Sequence, residues 1–183
     1  MYFCNKIHFF VSLYVMMDYK NIVEACRKND AKAQKELYDL FAPMMMGVCM
    51  RYTHSREEAQ DVLQDAFVKV FLKINALKNP QALEDWVYNI VVRTALNHVK
   101  RGNWSYEPLD DTNESVIDYS PYAVSDVMEM IQQLPDKYRV VFNLREIEGY
   151  EFDEISKELH MPHGTVRSIL CRAKKMLKDK MLQ

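Results

Sequence analysis

From Tyr19 to the C-terminus, apolar residues recur three and four apart, the spacing that puts one face of a helix against a core. Ile22, Val23 and Cys26 mark a short first helix that ends near Asn29-Asp30. Ala33 to Tyr52 reads as a longer helix, with a kink expected at Pro43. Ser55 and Glu58 have the spacing of a capping box, opening a helix that runs to Ile74. In it, Ala59, Val62, Leu63, Ala66, Phe67, Val70 and Ile74 fall on one arc and form the expected core face. Asn79 as cap and Pro80 in the first turn open a helix to Arg101 that is apolar on two sides, a central helix rather than a surface one. Ser125 reads as a cap before Met128, Ile131 and Leu134, and Pro135 starts a helix closed by Gly149. Phe152, Ile155 and Leu159 then share one stripe, and His160-Met161-Pro162 breaks it. The last helix follows, with Val166, Leu170, Ala173 and Leu177 on its apolar face. The expected class is all-α.

The last helix changes the picture through its other face. Arg167, Ser168, Cys171, Arg172, Lys174, Lys175 and Lys178 lie opposite the apolar stripe. From His160 onward there are six Lys/Arg and one acid, Asp179. A helix buried on one side, basic on the other and braced by a shorter helix across a tight break has the form of a helix-turn-helix. Lysines there can neutralise phosphates, and Arg and Ser can reach base edges. The plainer reading is a solvated basic face on a helical hairpin.

Pro162, Gly164, Thr165, Val166, Arg167 and Ser168, then Arg172, Ala173 and Lys174, follow the pattern P-x-G-T-V-[KR]-S…R-A-[RK]. This run resembles the recognition helix of region 4 in bacterial RNA polymerase sigma factors of the extracytoplasmic-function (ECF) type. The resemblance implies that Gly164, Thr165, Arg167, Ser168, Cys171, Arg172, Lys174 and Lys175 face the promoter −35 element. His160 stands where the family usually has Gly. Ile169 stands where it often has Arg, which implies one missing DNA contact. The segment Leu134 to Arg145 is similar to the L-P-x-x-x-R-x-V-F-x-L-R of the same region. Glu151 replaces a usual capping Ser, a modest expected loss.

The Ser55 helix carries a second signal. Asp61, Gln64, Asp65, Val68 and Leu72 occupy the arc opposite its core face, two apolar residues among carboxylates where water is expected. Such a stripe is either scattered surface apolarity or a partner-binding face. Here the chain is similar to sigma regions 2.1 and 2.2. The family's D-x-x-Q-[DE]-x-F is matched by Asp61, Gln64, Asp65 and Phe67. This implies that Asp61, Gln64 and Asp65 contact the clamp coiled coil of the polymerase's largest subunit while Phe67 packs inward. Trp86, Val87 and Ile90 match the W-[LV]-x-x-I of regions 2.3 and 2.4, which in the family melt the −10 element. Trp86, Tyr88, Arg93, Asn97, His98, Lys100 and Arg101 are the candidate −10 contacts, with Trp86 equally readable as core. Arg93 and Asn97 replace the usual Asn and Asp, leaving the −10 preference open.

The 183 residues suffice for one domain or two small ones. Net charge is −2, but it is segregated. Residues 1–101 carry 14 basic and 11 acidic side chains, 102–124 five acids and no base, and 125–183 ten of each. DNA affinity must therefore come from local patches. The expected organisation is a region-2-like helical bundle over 18–101, a flexible acidic linker over 102–124 and a region-4 helix-turn-helix over 125–183.

Residues 1–17 form an N-terminal extension whose apolar run, Ile7 to Met17, is too short for a membrane span. Translation is expected to start at Met16 or Met17, the other reading being a membrane-touching or partner-binding tail. Cys4, Cys26, Cys49 and Cys171 have no metal-ligand spacing, and the five histidines are scattered, so neither a metal, a cofactor nor a catalytic set is expected. Cys171 reads as a small neutral contact residue or a redox sensor.

The expectation is a non-enzymatic, cytoplasmic ECF sigma factor without a membrane span. The resemblance implies core RNA polymerase (clamp coiled coil and flap), promoter DNA and an anti-sigma factor as partners. The alternative is a stand-alone helix-turn-helix regulator binding operators as a dimer, which leaves the Asp61–Leu72 face unexplained.

Overall fold

The computed structural model describes residues 18–101 and 124–181, so the N-terminal extension and almost all of the expected linker lie outside the described residues. No strand occurs among the described residues. The described helices group into two compact units that part after Asn97.

In the first unit, α1 (Lys20–Arg27) ends in a left-handed Asn29, and Asp30 caps α2 (Ala31–Met50) by accepting from the Lys32 and Ala33 amides. A cap of this kind contributes about 1 kcal/mol. The helix runs on through Pro43. An interior proline costs roughly 3 kcal/mol. Pro43 and Asp39, whose carbonyl loses its amide donor, are both exposed, so water can satisfy that carbonyl while Phe41, Ala42 and Met45 stay buried.

Ser55 caps α3 (Arg56–Lys73), accepting from Glu58 N at 3.1 Å. The Glu58 carboxylate reaches one residue further back than the sequence suggests, to His54 N at 2.8 Å. All seven apolar residues assigned to the core arc, Ala59 to Ile74, are buried. The Phe67 ring meets Tyr38 of α2 edge-on, with centroids 4.7 Å apart.

Asn79 accepts from Gln81 N, but the turn it caps is a short 3-10 segment (Pro80–Ala82) that leads into α4 (Leu83–Arg101). Leu83, Val87 and Val91 are buried, as are Val92, Leu96 and Val99, so α4 is apolar on two sides as expected of a central helix.

The last turn of α4 falls in the second unit, whose next described helix is α5 (Val124–Gln132), which contains Ser125 rather than starting after it. Pro135 precedes α6 (Asp136–Phe142), which widens into a single π turn over Asn143–Ile147 before Gly149 ends it at φ +77. The wide turn carries Arg145 and Glu146, both of which reach the helix-turn-helix. That motif is α7 (Phe152–Leu159) and α8 (His163–Met181). Glu151 opens α7 without a serine, yet the Glu154 carboxylate accepts from Glu151 N at 2.7 Å, and the Glu151 carboxylate pairs with Arg145 at 2.9 Å. The Arg145 pair, with Glu151 mostly exposed, adds only the modest worth of a surface ion pair at this cap.

His160 takes the left-handed conformation at the end of α7, φ 53 and ψ 40, with the Met161 amide closing on Ser156 O. A residue with a β-carbon is strained here, though His tolerates it better than most. His160→Gly is expected to raise stability by about 0.5 kcal/mol, the relief of strain being partly cancelled by the freer unfolded chain. Thermal melting of the full chain checks this, and an unchanged or lower midpoint would show that no strain is held at His160.

Candidate polymerase and nucleic-acid interfaces

Three surfaces gather the residues singled out in the sequence. The first is on α3. Asp61, Gln64, Asp65, Val68 and Leu72 are all exposed, Val68 by 57% and Leu72 by 76%, while Phe67 is buried. Exposed apolar side chains of that extent on a helix whose opposite face is fully packed gain nothing for the fold. They fit a surface that is covered only when a partner is present.

The second surface is on α4. Arg93, Asn97 and Arg101 are exposed at four-residue intervals and so form one solvated stripe. Trp86 and Ile90, on the same side by helical register, are half-buried. His98 and Lys100 are half-buried beside the stripe. Tyr88 lies across the helix from Arg93, and its hydroxyl accepts from Arg51 at 3.1 Å. Thr94 is buried behind the stripe, its hydroxyl bonded to Ile90 O at 2.8 Å and receiving Lys69 Nζ at 3.1 Å. A half-buried indole on the same side of the helix as exposed guanidinium groups suits unpaired bases, which stack on flat side chains while the cations meet the phosphates.

The third surface is α8. Val166, Ile169, Leu170 and Ala173 are buried, and Gly164, Arg167, Ser168, Cys171, Lys174, Lys175 and Lys178 are exposed. Thr165 and Arg172 are half-buried at the margins. Ile169 corrects the sequence reading. It is fully buried, so this position packs into the core and no contact is lost there for want of an arginine. Lys174, at one edge of the basic face, pairs with Glu146 of the π turn at 2.8 Å. Ser168 Oγ donates to Thr165 O at 2.9 Å. Arg167 is placed over the Phe152 ring, its Cζ 5.2 Å from the centroid.

The chain matches known families in both of its helical parts. The family described as Sigma-70 region 2 matches residues 37–105, and that described as Sigma-70, region 4 matches 125–177. The RNA polymerase sigma-H factor of Pseudomonas aeruginosa is 30% identical over 181 residues, covering 90% of this chain and 93% of that protein. This chain belongs to the ECF-type sigma factors of the sigma-70 family. The ECF RNA polymerase sigma-E factors of Haemophilus influenzae and Escherichia coli K12 are each 28% identical, and each covers 87% of this chain. In the first the match spans 93% of the relative and in the second 92%. An ECF sigma factor directs RNA polymerase to its promoters, and the stand-alone regulator reading finds no support.

Among the described residues of this sigma factor, no His/Cys/Asp/Glu group could hold a metal ion, and no helix is long and apolar enough to cross a membrane. Its cysteines differ in environment. Burial pushes the Cys49 thiol up to about 12 and that of Cys26 upward as well, whereas Cys171 is exposed on α8. At pH 8 a thiol at 12 is only about one part in ten thousand thiolate, the reactive form. Iodoacetamide is therefore expected to modify Cys171 in the native chain and Cys49 only after denaturant is added. Peptide mass mapping reads the order, and early labelling of Cys49 would contradict its packed environment.

Sequence reasoning missed three parts of these surfaces: the Glu146–Lys174 pair, the Arg51–Tyr88 bond and the ring beneath Arg167. Each joins residues far apart in the chain or off the helix being read. Helical periodicity carries no signal for such contacts.

Proposed function

We propose that this ECF sigma factor binds core RNA polymerase through the α3 face of Asp61, Gln64, Asp65, Val68 and Leu72. We assign the −10 element to the α4 stripe of Trp86, Arg93, Asn97, Lys100 and Arg101, with Tyr88 and His98 as positioning residues. The −35 element is assigned to Gly164, Thr165, Arg167, Ser168, Cys171, Arg172, Lys174 and Lys175 on α8. The observation that carries this reading is the coexistence of two unlike exposed faces in one chain: an acidic-apolar face on α3 and a basic face on α8. A DNA-binding regulator needs only the second. Acidic residues around an apolar strip suit a basic partner surface, where complementary charge favours both encounter and register.

The proposed functional division is region 2 over 18–101, a linker over 102–124 and region 4 over 125–183. Joining two modest DNA contacts through one tether raises the effective concentration of the second once the first is made. Lys174 can exchange its carboxylate for a phosphate, because an exposed ion pair is worth only about 0–1 kcal/mol. The protein is a specificity subunit without chemistry of its own, acting in the cytoplasm with the polymerase. An anti-sigma factor is its expected regulator, recognising the faces that polymerase and promoter use.

The test is to mix the full chain with sigma-free core polymerase, follow co-elution by gel filtration, and then assay transcription from upstream DNA. Co-elution with promoter-dependent transcripts is expected. A chain that binds operator DNA as a stable dimer and never associates with core polymerase would overturn the reading.

A further inference from the structure

We infer that Phe152 is a positioning residue for promoter readout: its ring holds the Arg167 guanidinium in place without consuming its hydrogen-bond donors. This rests on the assignment of Arg167 to the −35 element above. Among the described residues, the Phe152 ring is the partner of the Arg167 head group, and no carboxylate pairs with it. The neighbouring cation on the same face, Lys174, is held by a carboxylate instead. The two ways of holding a cation have different consequences. A carboxylate occupies the N–H edge that would read a base. An aromatic face attracts the cation through its π surface and leaves the five N–H donors of arginine free in their plane.

The ring is itself braced. Phe152 is half-buried at the start of α7. Its ring meets the His163 ring edge-on, with centroids 5.4 Å apart and planes at 66°. His163 Nε2 in turn lies 3.7 Å from Asp153 Oδ1. A second guanidinium, that of Arg145, is also over the Phe152 ring, with Cζ at 4.6 Å from the centroid. Arg145 is anchored to Tyr150 O at 2.8 Å and to the Glu151 carboxylate at 2.9 Å. The π turn, the α7 cap and the first residue of α8 thus converge on one ring, and the exposed Arg167 rests on it. An arginine on a long flexible stem loses rotamer entropy when it docks on a base, and fixing it beforehand lowers that loss.

The consequence is measurable in sequence preference. Holoenzyme carrying the full chain is tested for binding to a pool of promoters with a randomised −35 element. The variants are Phe152→Leu, Phe152→Tyr, Arg167→Ala and Phe152→Leu with Arg167→Ala. Phe152→Leu is expected to weaken binding about two- to five-fold, the scale of an exposed cation–π contact. That loss should be confined to the base pair whose preference Arg167→Ala also relaxes. Phe152→Tyr keeps the ring and should keep the preference, and Phe152→Leu should add nothing once Arg167 is gone. Circular dichroism confirms that each variant folds. A loss spread evenly over all sequences, or one that persists in the Arg167→Ala background, would make Phe152 merely structural and overturn the inference. If Arg167→Ala itself leaves every preference unchanged, the −35 assignment of Arg167 fails and the inference falls with it. That result differs from a working Arg167 that ignores its ring, in which Arg167→Ala relaxes the preference and Phe152→Leu does not. A second readout needs no DNA. The ring-current shift of the Arg167 side-chain protons in the free chain should vanish in Phe152→Leu and remain in Phe152→Tyr.

Discussion

Asp61→Arg combined with Asp65→Arg is expected to abolish assembly with core RNA polymerase while leaving α3 folded. Both carboxylates are exposed, and among the described residues neither holds an ion pair, so reversing them breaks no ion pair there. Arginine is a better helix former than aspartate, and these positions lie beyond the first turn, where the helix dipole acts most strongly. At the interface the outcome is opposite. Two reversals move the face by four charges, and like charges brought together across an interface cost several kcal/mol. A loss of at least ~100-fold in affinity follows. Gel filtration with core polymerase reads assembly and circular dichroism reads the helix. If the double variant still co-elutes with core polymerase, the docking face lies elsewhere. Val68→Ser with Leu72→Ser probes the apolar half of the same strip. Those side chains are already in water, so their removal should weaken docking with little change in stability.

The division of α3 into a packed and an exposed arc was legible in the sequence because both arcs are properties of a single helix. Every residue from Ala59 to Ile74 placed on the core arc is buried, and every residue from Asp61 to Leu72 placed opposite it is exposed. The same holds for most of α8. Period and side-chain type failed where a residue's depth depends on what another helix offers. Ile169 sits at the margin of the stripe drawn through Val166, Leu170 and Ala173, and family habit made it a missing DNA contact. The packing of α8 draws it fully into the core. Arg139 is the converse case. Read alone it is a charge on a short helix, yet it is buried because Asp136 one turn before it and the Gln132 carbonyl beyond the helix start both accept from its guanidinium. The π turn after Phe142 was equally hidden, since one extra residue in a turn leaves the apolar spacing on either side nearly unchanged. It nevertheless carries Arg145 and Glu146, whose contacts with Phe152 and Lys174 border the basic face of α8.

Arg139→Ala should accordingly destabilise the second unit by about 3 kcal/mol, the lower end of what removing one partner of a buried pair costs. Two effects add. The buried stem of Arg139 leaves a cavity beside the α6–α8 packing, and cavities of large side chains are only partly filled by relaxation. The Gln132 carbonyl also loses the donor it holds at 2.8 Å. The Asp136 side chain is 41% exposed and can turn to water, which keeps the expected loss at the lower end. Arg139→Met separates the two effects. It restores much of the volume without the charge, and apolar replacements of buried ionic groups are often neutral or better. Methionine should therefore recover most of the loss if packing dominates and little of it if the hydrogen bonds do. Hydrogen exchange of the α6 and α8 amides measures the opening of these helices, and protection within a factor of five of the parent in Arg139→Ala would rule out a structural role for the buried arginine. Function supplies an independent check, because α3 belongs to the other unit. Arg139→Ala holoenzyme should still assemble on core polymerase while losing −35-dependent promoter binding, so a residue that touches neither DNA nor polymerase would decide whether the basic face of α8 is presented at all.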